Sequence, residues 1–267
     1  MSRFVFPSPG GLFAPLAPLL EKIPFAPDST ALDSLSRPLA VQTQSGQRLR
    51  FVPPMDDGLG YEARIWARGD VETRPDNWHD FFNGLVWLTF PRAKAALNAR
   101  HARALAVQPE GRGRVRDAMT HFDECGVVVV SVDASLLQLV RDFQWRTLFW
   151  TRRADLDSKL RCFIFGHATY EQLLAPFRGL TAKAVLYEVS EDWLRQPPAV
   201  QLNDLDLRLA AALAAGGHAD ARSLHPLPLM GFPGVTADSE NAGYYDDTSQ
   251  FRPGRRSAGH RGCAGSV

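Results

Sequence analysis

The sequence predicts an α/β fold, with helices in a three-layer or α+β arrangement around a small, mainly parallel sheet. Three observations carry this. Residues 127–132 are five valines and one serine, the composition of a strand buried on both faces. Two further apolar runs, 160–165 and 182–189, follow, with helical stretches between the three runs; this β-α-β-α-β order favours parallel strands. Finally, 267 residues with 45% hydrophobic and 22% charged content suit an ordinary globular body.

Taken in order, residues 1–38 read as a Pro-rich arm with two short helices, one near 14–23 and one starting at Asp28 or Ser29. A single body is expected over 39–217. Its first part, with residues 39–43 and 48–52, then 61–67 and 71–74, each pair flanking a Gly-containing turn, predicts two N-terminal hairpins. A helix pair follows at 77–106. Trp78, Phe81, Phe82, Leu85 and Leu88 form one apolar stripe, Asn77 is a good N-cap with Asp80 at N3, and Pro91 ends the first helix and suits the first turn of the second. A helix at 115–124 is closed by Gly126, Asp133 caps one running to about residue 150, and others are expected at 168–174 and 203–215. Residues 218–253, rich in Pro, Gly, Asp and aromatics without either period, read as an extended strap, and 254–267 as a disordered tail.

The net charge of +1 gives no global steering field, but residues 91–116 hold seven cations against Glu110 alone, a local basic patch. The three cysteines are widely spaced with no CxxC pair, which points to a reducing compartment, the cytoplasm. No run approaches the roughly 18–20 apolar residues of a membrane helix. Walker, GxGxxG and GxSxG signatures are absent, and Cys125 and Cys162 lack a histidine in their own element that would make either a nucleophile.

Site-forming chemistry concentrates between Asn77 and Gly126. His79, Asp80 and Asn83 project over one sector of the first helix, and Lys94, Asn98 and His101 follow i, i+4 and i+7 on the second. Facing across the Pro91 corner, His79, Asp80, Asn98 and His101 could share a divalent metal or a substrate. His167 sits at the carboxyl end of the 160–165 strand, where open α/β sheets form ligand crevices, with Glu171 four residues on to orient it or to favour the helix dipole. Against these stand plainer roles. Asp80 fits a cap, Asp133 fits a cap, and Asp123-Glu124 before Cys125-Gly126 reads as a solvated helix end, although Asp117, Asp123 and Glu124 could supply oxygen ligands to a divalent cation. Lys94, Arg100, Arg103, Arg112, Arg114 and Arg116 could neutralise the phosphates of a small molecule or nucleic acid.

The strings YEARIWARGDVETRPDNWHDFFNGLVWLTFPRAKAALNARHA, RDAMTHFDECGVVVVS, FGHATYEQLL, GLTAKAV and GYYDDTSQFRP resemble a bacterial family catalogued as a domain of unknown function, over about 60–255. That resemblance implies a stand-alone bacterial cytosolic protein and carries no reaction. The order of His79-Asp80, Asn83-Gly84 and Asn98-x-x-His101 is also similar to His-Asn-His nucleases, although His79 falls within a helix here. Three function classes follow: a metal-assisted or acid–base hydrolase using His79, Asp80, His101 and His167; a non-catalytic binder using the basic patch; and a protein–protein scaffold.

Overall fold

The computed structural model describes residues 11–23, 27–107, 113–218 and 223–254. The N-terminal arm enters as a 3-10 turn and a short helix, α1 (Ala17–Leu20), followed by α2 (Ser29–Leu39), whose N-cap Asp28 accepts from Thr30 N. The first expected hairpin is reduced to a bridge between Gln42 and Arg48. The second is replaced. Residues Tyr61–Arg68 form a helix, α3, and the strands on either side of it, β1 (Arg50–Val52) and β2 (Asp70–Glu72), pair in parallel. Gly69 is the reason: at φ +76 it ends α3 in the left-handed conformation and donates to Ile65 O, where a hairpin turn was expected. A Cβ on Gly69 would meet Arg48 O at 2.2 Å, so this close approach requires glycine.

The helix pair forms as α4 (Trp78–Thr89) and α5 (Pro91–Val107), with Asn77 Oδ1 accepting from Asp80 N at 2.9 Å. The residue before Pro91 is Phe90, which cannot cap α5. The cap comes instead from Asp206, whose buried carboxylate accepts from Ala93 N at 2.8 Å and Arg92 N at 3.2 Å.

Next come α6 (Arg114–Cys125) and β3 (Gly126–Ser131), then α7 (Ala134–Arg141) and α8 (Arg153–Lys159) on either side of a π-helical turn at Thr147–Thr151. The remaining elements are β4 (Leu160–Ile164), α9 (His167–Gln172), β5 (Thr181–Glu188), α10 (Glu191–Leu194), α11 (Pro198–Ala214) and β6 (His225–Pro228). The four-stranded sheet has the order β4-β3-β5-β6. Its central pair, β3 and β5, is parallel as expected, and all of β3 is buried. The flanking strands run the other way, since β4 is antiparallel to β3 and β6 to β5.

The direction of β4 follows from an interruption that periodicity did not reveal. The helix expected to run to residue 150 stops at Arg141, and Phe143 turns the chain at φ +57. Two helical legs therefore separate β3 from β4, and the second returns to the end of β3 that the first left. Lys159 O accepts there from Val132 N and Ser131 Oγ. A return to the same end gives an antiparallel neighbour. Of the expected strap, residues 225–228 become β6, and the rest folds into 3-10 turns that bury Tyr244, Tyr245 and Phe251. The tail from residue 255 lies outside the described residues. Among the described residues no helix is long and apolar enough to cross a membrane.

Candidate functional site

The site begins with a backbone contact. At the end of β4, Phe165 N and Gly166 N both donate to Gly126 O, at 2.9 and 2.8 Å. A Cβ on Gly166 would lie 2.4 Å from both Glu124 O and Gly126 N, so only glycine lets the start of α9 abut the end of α6. This sets His167, the first residue of α9, beside Asp123 and Glu124 in the last turn of α6. Helix α4 packs on α9 and brings His79 to the same point.

Three side chains converge there. His79 Nε2 lies 3.1 Å from His167 Nε2, and the two nitrogens are 3.8 and 3.6 Å from Glu124 Oε2. Around them, His79 Nδ1 is 3.0 Å from Glu171 Oε2, and His167 Nδ1 faces Asp123 Oδ2 at 3.9 Å without a hydrogen bond. His167 is buried, with a side chain 5% exposed, whereas Glu124 and Glu171 are 34% and 43% exposed, so the cluster opens on their side. Burial pushes His167 down to about 3 against the pull of Asp123, leaving its imidazole neutral. Burial also raises the Glu124 carboxyl, with His79 pulling it down and Asp123 pushing it up.

The shape of this triangle is informative. Sides of 3.1, 3.6 and 3.8 Å enclose an area of about 5.2 Å², and their product divided by four times that area places a point about 2.0 Å from all three atoms. That is the bond length of zinc to imidazole nitrogen and carboxylate oxygen. The separations average about 3.5 Å, between the ~3.4 Å of a tetrahedral pair and the ~3.6 Å of a trigonal one at 2.1 Å bonds. An octahedral face at the same bond length would need about 3.0 Å on every side. Among the described residues, these are the three that could hold a metal ion together.

A second polar chain leads away from the triangle. Asp123 Oδ1 accepts from Lys94 Nζ at 2.5 Å, Lys94 also donates to Asn83 Oδ1 at 2.9 Å, and Asn83 Nδ2 lies 2.6 Å from the Tyr61 hydroxyl. Burial pushes the Asp123 carboxyl up most strongly, but the charge and hydrogen bond of Lys94 together with the neighbouring His167 and His101 hold the group below the usual range. Asn98 and His101 turn to α3: Asn98 Nδ2 donates to Glu62 Oε2 at 2.6 Å, and Glu62, raised by burial, is pulled back by His101 and by that bond.

The expectation that His79, Asp80, Asn98 and His101 meet across the Pro91 corner is thus corrected. The polar row of α5 faces α3 and α6, not His79. Asp80 points away from the triangle and takes three bonds of 2.8 Å from Arg74, through its main-chain N, Nε and Nη2. Those bonds hold its carboxyl below the usual range although burial pushes the other way. His79 and His167 do meet, and Glu124, read from sequence as a solvated helix end, meets them. Glu171 orients His79 rather than His167.

The basic patch is largely engaged within the fold. Arg92 bonds Asp206 and Asn203, Lys94 is buried on Asp123, and Arg100 donates to Gly217 O. Arg116 is half-buried on α6, while Arg112 and the side chain of Arg114 fall outside the described residues. A cavity of about 400 Å³ opens elsewhere, between the N-terminal turn, β4 and α11, and shares no lining residue with the cluster.

A family model described as "Protein of unknown function (DUF3025)" matches residues 49–255, most of the chain. No curated protein and no solved structure matches it.

Proposed function

The chain belongs to the DUF3025 family, and because that family's description carries no reaction, we propose from the site itself that the protein is a hydrolase dependent on one divalent transition metal, zinc by geometry. The supporting observation is the point about 2.0 Å from His79 Nε2, His167 Nε2 and Glu124 Oε2. Two histidines and one carboxylate form a three-ligand set that keeps a coordination position for water. His79, His167 and Glu124 would hold a zinc ion there, and such an ion would supply Lewis-acid activation of water near neutral pH.

The chain's own residues do the rest. Glu171 accepts from His79 Nδ1 and so fixes which nitrogen of His79 is offered. Gly166 fixes the distance between α9 and α6. The half-exposed side of Glu124 and Glu171 admits solvent and substrate. The basic-patch binder has less support, because Arg92, Lys94 and Arg100 already spend their donors inside the fold. Scaffolding has no specific observation behind it.

Elemental mass spectrometry on the full chain after zinc loading and desalting tests the metal. Near one equivalent is expected in the parent and near none in His79→Ala and His167→Ala; a parent that retains no zinc ends the proposal. Loaded protein that cleaves no ester, amide or phosphoester probe would retain the metal and remove the hydrolase.

A further inference from the structure

Two imidazole nitrogens 3.1 Å apart share either a proton or a cation. Glu171 decides the arrangement on one side. Its carboxylate 3.0 Å from His79 Nδ1 requires a hydrogen on that nitrogen, so neutral His79 presents a lone pair at Nε2. With both rings neutral, a shared proton makes His167 Nε2 the donor and leaves His167 Nδ1 bare. A bare nitrogen cannot donate to a carboxylate. Nδ1 is buried, makes no hydrogen bond of good geometry and stands off from Asp123 Oδ2 at 3.9 Å, with the Asp123 main-chain carbonyl also beside the ring.

A shared cation reverses the requirement. Both Nε2 atoms must then offer lone pairs, so the single proton of His167 leaves Nε2 and, by exchange with solvent, returns at Nδ1. The ring stays neutral throughout. At Nδ1 that proton faces an acceptor already prepared for it, because Lys94 holds Asp123 by Oδ1, leaving Oδ2 towards His167. Asn83 holds Lys94 in turn, and the Tyr61 hydroxyl accepts from Asn83.

Building on the metal-site reading above, we infer that Asp123 is the positioning residue for His167, and that metal loading switches His167 from its Nε2–H to its Nδ1–H tautomer so that Asp123 accepts a hydrogen bond from it. Each metal-binding histidine then has its own carboxylate, Glu171 for His79 and Asp123 for His167, but the two differ. Glu171 is half-exposed, whereas Asp123 is buried and paired with Lys94, so that it orients His167 without adding net charge to the site.

Long-range nitrogen–proton NMR of the histidine-labelled full chain, stripped by chelator and then given one equivalent of zinc, tests this directly. The expected spectra show His167 as the Nε2–H tautomer before zinc and the Nδ1–H tautomer after. In a competition titration against a chromophoric chelator, Asp123→Asn is expected to bind zinc roughly 10- to 100-fold more weakly, the usual effect of losing an outer-shell partner. An unchanged His167 tautomer, or parent affinity in a folded Asp123→Asn, overturns the inference and leaves the metal site standing. Should Asp123→Asn fail to fold, the parent spectra decide alone. A parent that binds no zinc overturns both readings.

Discussion

Arg64 and His79 each stand at the centre of a polar cluster, and the two clusters differ in what they leave unsatisfied. The Arg64 side chain, 4% exposed, donates to Asp57, to Glu72 and to the main-chain oxygens of Met55 and Leu59, while Arg68 covers the other oxygen of Asp57. Every nitrogen of the guanidinium has its partner. The His79 cluster uses similar residue types but contains a buried Nδ1 with no bond, a contact that serves a proton or a cation equally, and two carboxylates reaching solvent. A saturated cluster fixes structure, because nothing in it can take on a new partner. Spare coordinating capacity in the other is what supports the proposed metal site.

The largest effects should come from exchanging damage between the two. Arg64→Met is expected to cost about 3 kcal/mol in urea unfolding, near the lower end for removing one partner of a buried pair because the acids it binds keep some solvent, and to leave zinc stoichiometry unchanged. His167→Ala should do the reverse, losing zinc while stability moves by about 1 kcal/mol. Should Arg64→Met also lose zinc, the two clusters are one unit and the contrast fails.

An intermediate effect belongs to Gly166→Ala. Overpacking against the α6 carbonyl end should cost about 1–3 kcal/mol. It should also weaken zinc binding, because the shift parts His167 from Glu124. Parent affinity in that variant would mean the close approach is not what sets the triangle.

The smallest effect is in acid. The Arg64 hydrogen bond, foremost, holds Asp57 down to about 2. A carboxylate depressed in this way contributes stability above its unfolded value of about 3.9, and the contribution is lost as pH falls from there through about 2. Urea midpoints measured across that window should fall more steeply in the parent than in Arg64→Met; equal slopes would show that the Asp57 pair contributes nothing measurable.

Much of the frame was legible from local pattern. The three principal strands lie within a residue of their expected places, and Asn77, Pro91 and Asp133 begin helices as read. Gly69 is ambiguous because a glycine after an apolar run serves a hairpin turn or a helix C-cap equally, and on a strand at 61–67 Glu62 carries no signal of a site. His79 and His167 read as members of one hydrolase site, but their direct pairing, apart from Asp80 and His101, does not. It depends on packing between residues 88 apart in the chain and on the missing side chain of Gly166, and neither leaves a periodic trace. Glu124 was discounted because an acid near a helix end usually has no partner beyond water.

Asp206 carries a consequence for the order in which the molecule can be completed. It lies on α11, more than a hundred residues after the Arg92 and Ala93 amides it caps, so no nascent chain ending before α11 can finish the start of α5. Lys94 is the next residue of α5 and the one that holds Asp123. The charged anchor behind His167 is therefore secured only when nearly the whole body has been synthesised, and fragments ending short of α11 should lack a firm centre even where His79, Glu124 and His167 are all present.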